Sequence, residues 1–194
     1  VLLCAALGYG LARKTSLLNS PSLATLVTHI GLPTLILSAL LSMDAELLSL
    51  SGTLWAIIGV LMISALLGAA LLHFSGLAIR GYLPMLVNPN TGNLGIPLVF
   101  ALLGPDALIH AVIISTVVQI SHVTLGVGLL SGSFSLKSLL RNGSILALIV
   151  GVIWRLTDVP RPEALLSTLS LLSGMTLPIM LLLLGKSLAG IDVR

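Results

Sequence analysis

Val87-Asn88-Pro89-Asn90-Thr91-Gly92-Asn93-Leu94-Gly95-Ile96-Pro97 lies in the middle of a stretch, residues 81–104, that is otherwise apolar and long enough to cross a bilayer of ~30 Å. Three asparagines, two prolines and two glycines in these eleven residues exclude a continuous helix. Proline removes a backbone donor and collides with the preceding turn, and glycine adds slack. In lipid each freed backbone group costs several kcal/mol, so such a break persists only against other protein or a cavity. Its centre, Gly92–Asn93, falls near the bilayer midplane, where an alternating-access carrier holds its substrate. The spacing places Pro97 at the first position of a new half-helix, where its missing N–H is no loss. The exposed amides and positive dipole end of that half-helix favour an anion. Asn90 and Asn93 add neutral amide donors, with Thr91, Gly92 and Gly95 forming the backbone of the break. The competing reading is a proline kink whose asparagines bond between packed helices in a protein that transports nothing.

The rest of the chain fits that setting. Only 8% of residues are charged, 57% are hydrophobic and the mean hydropathy is +1.18. A soluble domain has roughly 25% charged residues, so most of this surface must face lipid. Six further apolar runs read as spans: residues 1–12, 22–43, 53–75, 107–130, 143–156 and 164–185. The fold class is therefore an all-α polytopic membrane protein with about seven transmembrane helices, the fourth of them broken. Arg13 and Lys14 stop the first run, and Asp44 and Glu46 the second; Arg141 and Arg155 flank the sixth and can snorkel. With the N-terminus outside, the cytoplasmic connections carry Arg13, Lys14, Arg80, Lys137, Arg141, Lys186 and Arg194, and the external ones Arg155 and Arg161. The positive-inside rule favours that orientation. Val1 opens inside an apolar run, which reads as a span lacking its first turns.

A shift of 143 residues brings Leu3, Gly8, Leu23, Thr25, Leu26 and Gly31 onto Leu146, Gly151, Leu166, Thr168, Leu169 and Gly174. With two more residues, Leu32-Pro33 meets Leu177-Pro178. Span six then repeats span one, and span seven repeats span two. Five spans is an odd number, so the second unit enters the membrane from the opposite side, as in many secondary transporters. Residues 1–130 form the first unit, 131–142 a cytoplasmic connection, and 143–194 the first two helices of an inverted second unit that would continue for three more.

Asn90-Thr91-Gly92-Asn93-Leu94-Gly95-Ile96-Pro97-Leu98, followed by Ala101-Leu102-Leu103-Gly104, resembles the fourth-helix motif of the auxin efflux carrier family. Ala6-Leu7-Gly8-Tyr9, Gly31-Leu32-Pro33 with Ser38, and Leu177-Pro178 with the run 182–185 resemble that family's first, second and seventh helices. The resemblance implies ten helices in two inverted five-helix repeats, and a site where broken helices four and nine cross. It also implies transport of small or aromatic carboxylates, malate and malonate among them, in a bacterial inner membrane. By motif match Asn90 is the leading carboxylate-coordinating residue and Asn93 the next. Lys186 departs from the family pattern, which more often has a small residue there.

Ser115, Gln119 and His122 fall at i, i+4 and i+7 of span five and share a face. They either line the pathway, with Pro33 and Pro178 on spans two and seven and His122 carrying a proton, or bond between helices; the residues leave both readings open. Lys186 is expected to snorkel to the cytoplasmic face. The centres of the spans hold no Asp or Glu, so a proton or sodium coupling site is not located. Cys4 is the single cysteine, which excludes an intrachain disulfide and a cysteine metal cluster. No nucleophile motif or phosphate loop is present, nor a basic run for nucleic acid, so neither an enzyme nor a cofactor is expected. The partners expected are an organic anion, the bilayer, a coupling proton or sodium ion, and a second copy in a homodimer. The rival functions are a bile-acid-type sodium symporter of related inverted-repeat design and a channel, which a ring of charge would mark.

Overall fold

In lipid a chain so poor in charge can satisfy its backbone only within helices or a closed barrel. The computed structural model describes residues 2–42, 47–131, 141–157 and 159–191, and among them every regular element is a helix. The chain is thus an all-α membrane protein. The expected stop at Asp44 and Glu46, residues 132–140 of the connection with Lys137, Asp158 and Arg194 lie outside the described residues.

We number the helices α1 (Leu2–Lys14), α2 (Ser22–Ser42), α3 (Ser51–Phe74), α4 in two halves (Ile79–Val87 and residues 91–103), α5 (Pro105–Leu130), α6 (Gly143–Leu156) and α7 (Glu163–Ala189). Helices α2, α3, α5 and α7 are each long and apolar enough to cross a membrane. Outward-facing Trp55, Met62, Ile63, Leu66, Leu67 and Leu71 leave α3 largely unburied, as expected of a helix whose solvent is lipid.

Two packing groups emerge. In the first, α1 lies against the second half of α7, and α6 and the first half of α7 lie against α2. In the second, α3 packs on α4 and α5, and both halves of α4 pack on α5. The first group is held by close backbone approach. A Cβ on Gly185 would lie 2.6 Å from Tyr9 N, and one on Gly8 2.7 Å from Leu182 Cα. Such contact is the usual basis of helix association in lipid, where no hydrophobic drive exists between helices. A Cβ on Gly151 would in turn meet Leu40 Cδ1 at 2.7 Å and Leu37 Cδ1 at 3.2 Å. Under the sequence repeat Gly8 corresponds to Gly151, Leu37 to Leu182 and Leu40 to Gly185. The contacts of α1 with α7 are therefore reproduced between α6 and α2, which supports an internal two-fold relation.

Long-range polar bonds join helix ends that alternate crossing would put on the same side. Lys186 Nζ donates to Leu18 O at 2.5 Å and Arg80 Nε to Leu129 O at 3.1 Å. At the other end Arg155 Nη1 donates to Leu40 O at 3.1 Å and Arg161 Nη1 to Leu41 O at 2.7 Å. Both arginines thus satisfy carbonyls at the C-terminus of α2, where a helix leaves acceptors unpaired and a cation meets the negative dipole end. Lys186, expected to snorkel, ties down the α1–α2 connection.

Candidate functional site

The break in α4 falls at Asn88–Asn90, between Val87 and the helix that resumes at Thr91. The second half thus starts six residues before Pro97, and not at Pro97 as the sequence suggested. The reason lies in its first turn: residues Thr91–Gly95 are π-helical, with Gly95 N donating to Asn90 O at 3.2 Å, and α-helix follows from Ile96 to Leu103. The wider π turn accommodates the ring of Pro97 without ending the helix. At the start of this half-helix Thr91 N donates to Pro89 O at 2.8 Å, so the amides whose partners no preceding turn can supply are those of residues 92–94.

These residues border a cavity of about 280 Å³. Asn88, Asn90, Thr91 and Gly92 enter from the break, Ser115, Thr116, Gln119 and His122 from α5, and Ser144 from α6. Leu32, Ile36, Ile96, Val112 and Val118 supply apolar wall. The cavity lies between the two packing groups, with Leu32, Ile36 and Ser144 on one side and α4 and α5 on the other. Thr91 Oγ1 donates to Ser115 Oγ at 3.4 Å, and a Cβ on Gly92 would lie 3.7 Å from that oxygen. Thr116 Oγ1 is engaged within its own helix by Val112 O at 2.8 Å. A second π segment, His122–Gly126, begins at the cavity's edge.

Of the residues singled out from sequence, Asn90, Thr91, Gly92, Ser115, Gln119 and His122 meet at this cavity. Gly95 and Pro97 lie beyond its lining in the same half-helix, and the side chain of Asn93 is outside the described residues. Pro33 does not line it either: its Cγ would sit 3.1 Å from a Cβ on Gly143, so it packs against the start of α6. Pro178 lies away from it, exposed on α7.

Two residues were missed. Asn88 Nδ2 donates to Pro84 O at 2.9 Å, while its Oδ1 is buried without a partner among the described residues. Ser144, 2% exposed, has a buried Oγ that is also unpartnered among the described residues. Asn142 Oδ1 caps this helix by accepting from Ser144 N and Ile145 N at 3.0 and 3.3 Å, which engages the backbone and leaves the serine hydroxyl. Asn88 was legible as part of the break, but its orientation depends on Pro84, and Ser144 reads in sequence as an ordinary helix start.

A family model described as membrane transport protein matches residues 1–133 and 129–193 of the chain. No curated protein and no solved structure gives a match.

Proposed function

The chain belongs to the auxin efflux carrier family of membrane transport proteins, and from that premise we propose that it is a secondary carrier of small organic anions, most readily carboxylates. The observation that carries this reading is the uncharged cavity at the break in α4, where amides and hydroxyls are set in a largely apolar wall. Its described lining holds no Lys, Arg, Asp or Glu. A carboxylate there meets the positive end of a half-helix, amide N–H groups, hydroxyls and the amide of Gln119. Such donors stabilise an anion through dipoles and hydrogen bonds. Without a formal countercharge the anion is held less tightly, and release to the far side is faster. In this reading Asn90 and Asn93 supply donors to the carboxylate, Thr91 and Gly92 form the turn, and Ser115, Gln119 and His122 line the path.

Alternating access requires two bodies to move about the site. The closer packing within each group supports motion of α3–α5 against α1, α2, α6 and α7, with the cavity at their junction beside a shared core in which Leu35, Ile36, Leu40 and Ala147 meet Ile96, Ala111 and Val112. That partition cuts across the repeat boundary near residue 130. Residues 1–130 and 143–194 are then repeat units by ancestry, and each contributes helices to the same packing group. The N-terminus outside and a bacterial inner membrane belong to the same reading.

The test is transport by the full-length protein in proteoliposomes, with radiolabelled malate, malonate and indole-3-acetate as substrates. Saturable uptake of at least one, reduced tenfold or more by Asn90→Ala in protein that still melts cooperatively, is the expected result. Imposed proton and sodium gradients identify the coupling ion. Failure of all three under every gradient would reject the carboxylate class, and undiminished transport by Asn90→Ala would move the site away from the break.

A further inference from the structure

Among the described residues, the π segments Val27–Gly31 and Thr91–Gly95 each lead into a proline, whereas His122–Gly126 in α5 does not. No ring requires that turn to widen. Single π turns within α-helices are frequent at functional sites and are places where a helix bends. Thr124 eases the bend here: its Oγ1 donates to Ile120 O at 2.6 Å, a back-bonding pattern that loosens and curves a helix.

This segment touches the break in α4. A Cβ on Gly126 would lie 3.5 Å from Asn88 Nδ2 and 3.7 Å from Pro84 Cβ, and Asn88 is bonded back to the first half of α4 through Pro84 O at 2.9 Å. Two neighbouring helices are therefore interrupted side by side. The segments beyond, residues 79–87 and 127–130, pack on each other and are joined by Arg80 Nε donating to Leu129 O at 3.1 Å. On the other side of the interruption α5 is joined to α3 instead, where Thr53 Oγ1 and His110 Nδ1 lie 2.6 Å apart. Between α3 and the paired segments lies apolar space, two cavities of about 230 and 470 Å³ that share Ala65, Val87, Ser121 and Leu125. Walls facing such space can shift where a close-packed contact cannot. Asn88, Pro89 and His122, at the two interruptions, also line the cavity at the break.

Resting on the carrier reading of that cavity, we propose that the first half of α4 and the end of α5 form one gate. It turns about the touching interruptions at Asn88–Asn90 and His122–Gly126, moves relative to α3, and opens and closes one end of the cavity. This motion is internal to α3–α5 and additional to any displacement of that body as a whole.

Two disulfides in the full-length protein, in a Cys4→Ser background, test it. A Cβ on Gly68 would lie 3.8 Å from Leu86 Cβ, and one on Gly126 3.7 Å from Pro84 Cβ, both within the ~3.5–4.5 Å that a disulfide spans. Gly68→Cys with Leu86→Cys ties the gate to α3; Pro84→Cys with Gly126→Cys ties the two members of the gate together. Uptake of the carboxylate that the unsubstituted protein transports is compared before and after reduction, with linkage confirmed by mass spectrometry. The first bond is expected to cut uptake at least tenfold, reversibly, and the second to leave it within twofold. Displacement of the whole body alone predicts that neither bond matters, so full uptake with the first bond formed overturns the gate. Loss of uptake with the second bond formed shows that the two segments move separately, which also overturns it. Hydrogen exchange on the unsubstituted protein needs no variant to fold: amides of residues 122–127 should exchange at least tenfold faster than those of residues 112–121. Equal exchange rules out a hinge at the π segment. Absence of uptake by the unsubstituted protein rejects the carrier reading itself, and this inference with it.

Discussion

Gly185 and Gly10 differ by surroundings alone. A Cβ on Gly185 would intrude on the backbone of α1, 2.6 Å from Tyr9 N, whereas one on Gly10 meets nothing within 4 Å. Backbone cannot move aside as a side-chain tip can, so the two helices would have to separate along their contact. Gly185→Ala is expected to destabilise the protein by about 3 kcal/mol, and Gly10→Ala to leave it nearly unchanged; thermal unfolding in one detergent compares them. Neither outcome was legible in the chain, where both are glycines in apolar runs. The same limit hid Asn88 and Ser144. Polar character is visible in a sequence, but whether a polar atom is matched depends on what the fold brings beside it. Asn90, Thr91, Ser115, Gln119 and His122 were found because a cluster of polar groups deep in an apolar span is costly unless it faces a cavity or a partner.

The helical elements were largely legible, since each hydrophobic run of bilayer length became a helix within a few residues of its expected bounds. Their irregularities were not. The π segments Val27–Gly31 and Thr91–Gly95 each end two residues before a proline, in Gly31-Leu32-Pro33 and Gly95-Ile96-Pro97. Helix α7 is interrupted at Met175, three residues before Pro178. These three irregularities precede a ring that would strike the carbonyl four residues earlier in a regular helix, and a widened turn avoids the collision while keeping the chain helical; the π segment His122–Gly126 has no proline after it. Sequence reasoning treated Pro97 as a helix start because it considered a break or a start and not a π turn. Pro97→Ala tests this account. With the ring gone the turn can relax to α, and one residue's change of register rotates everything before it by about 100°. Asn90 and Thr91 would then leave the cavity. The expected result is unchanged or higher thermal stability with at least a tenfold loss of carboxylate uptake. A fall in stability with uptake intact would show that the proline is there for packing.

At the scale of the molecule, the proposed inverted repeat and the two packing groups make different demands on the same contact. Gly31 in α2 faces Thr176 in α7: a Cβ on Gly31 would lie 3.4 Å from Thr176 Cβ, close to the ~3.5–4.5 Å that a disulfide spans. These positions belong to different repeat units but to one packing group. In a Cys4→Ser background, Gly31→Cys with Thr176→Cys should oxidise to a disulfide. If the repeat units rock against each other, that bond joins two moving bodies, and transport should stop on oxidation and return on reduction. If α3–α5 move against α1, α2, α6 and α7, the bond lies within one body and transport should continue. The packing argues for the second outcome. Gly31 is buried against Thr176, itself fully buried, and well-packed interiors deform little compared with the walls of a cavity. Equal uptake by the oxidised and reduced forms is therefore expected, with cross-linking verified by an altered gel mobility that reductant reverses. Reversible inhibition would assign the motion to the repeats, and would require the cavity to open by sliding α2 along α7.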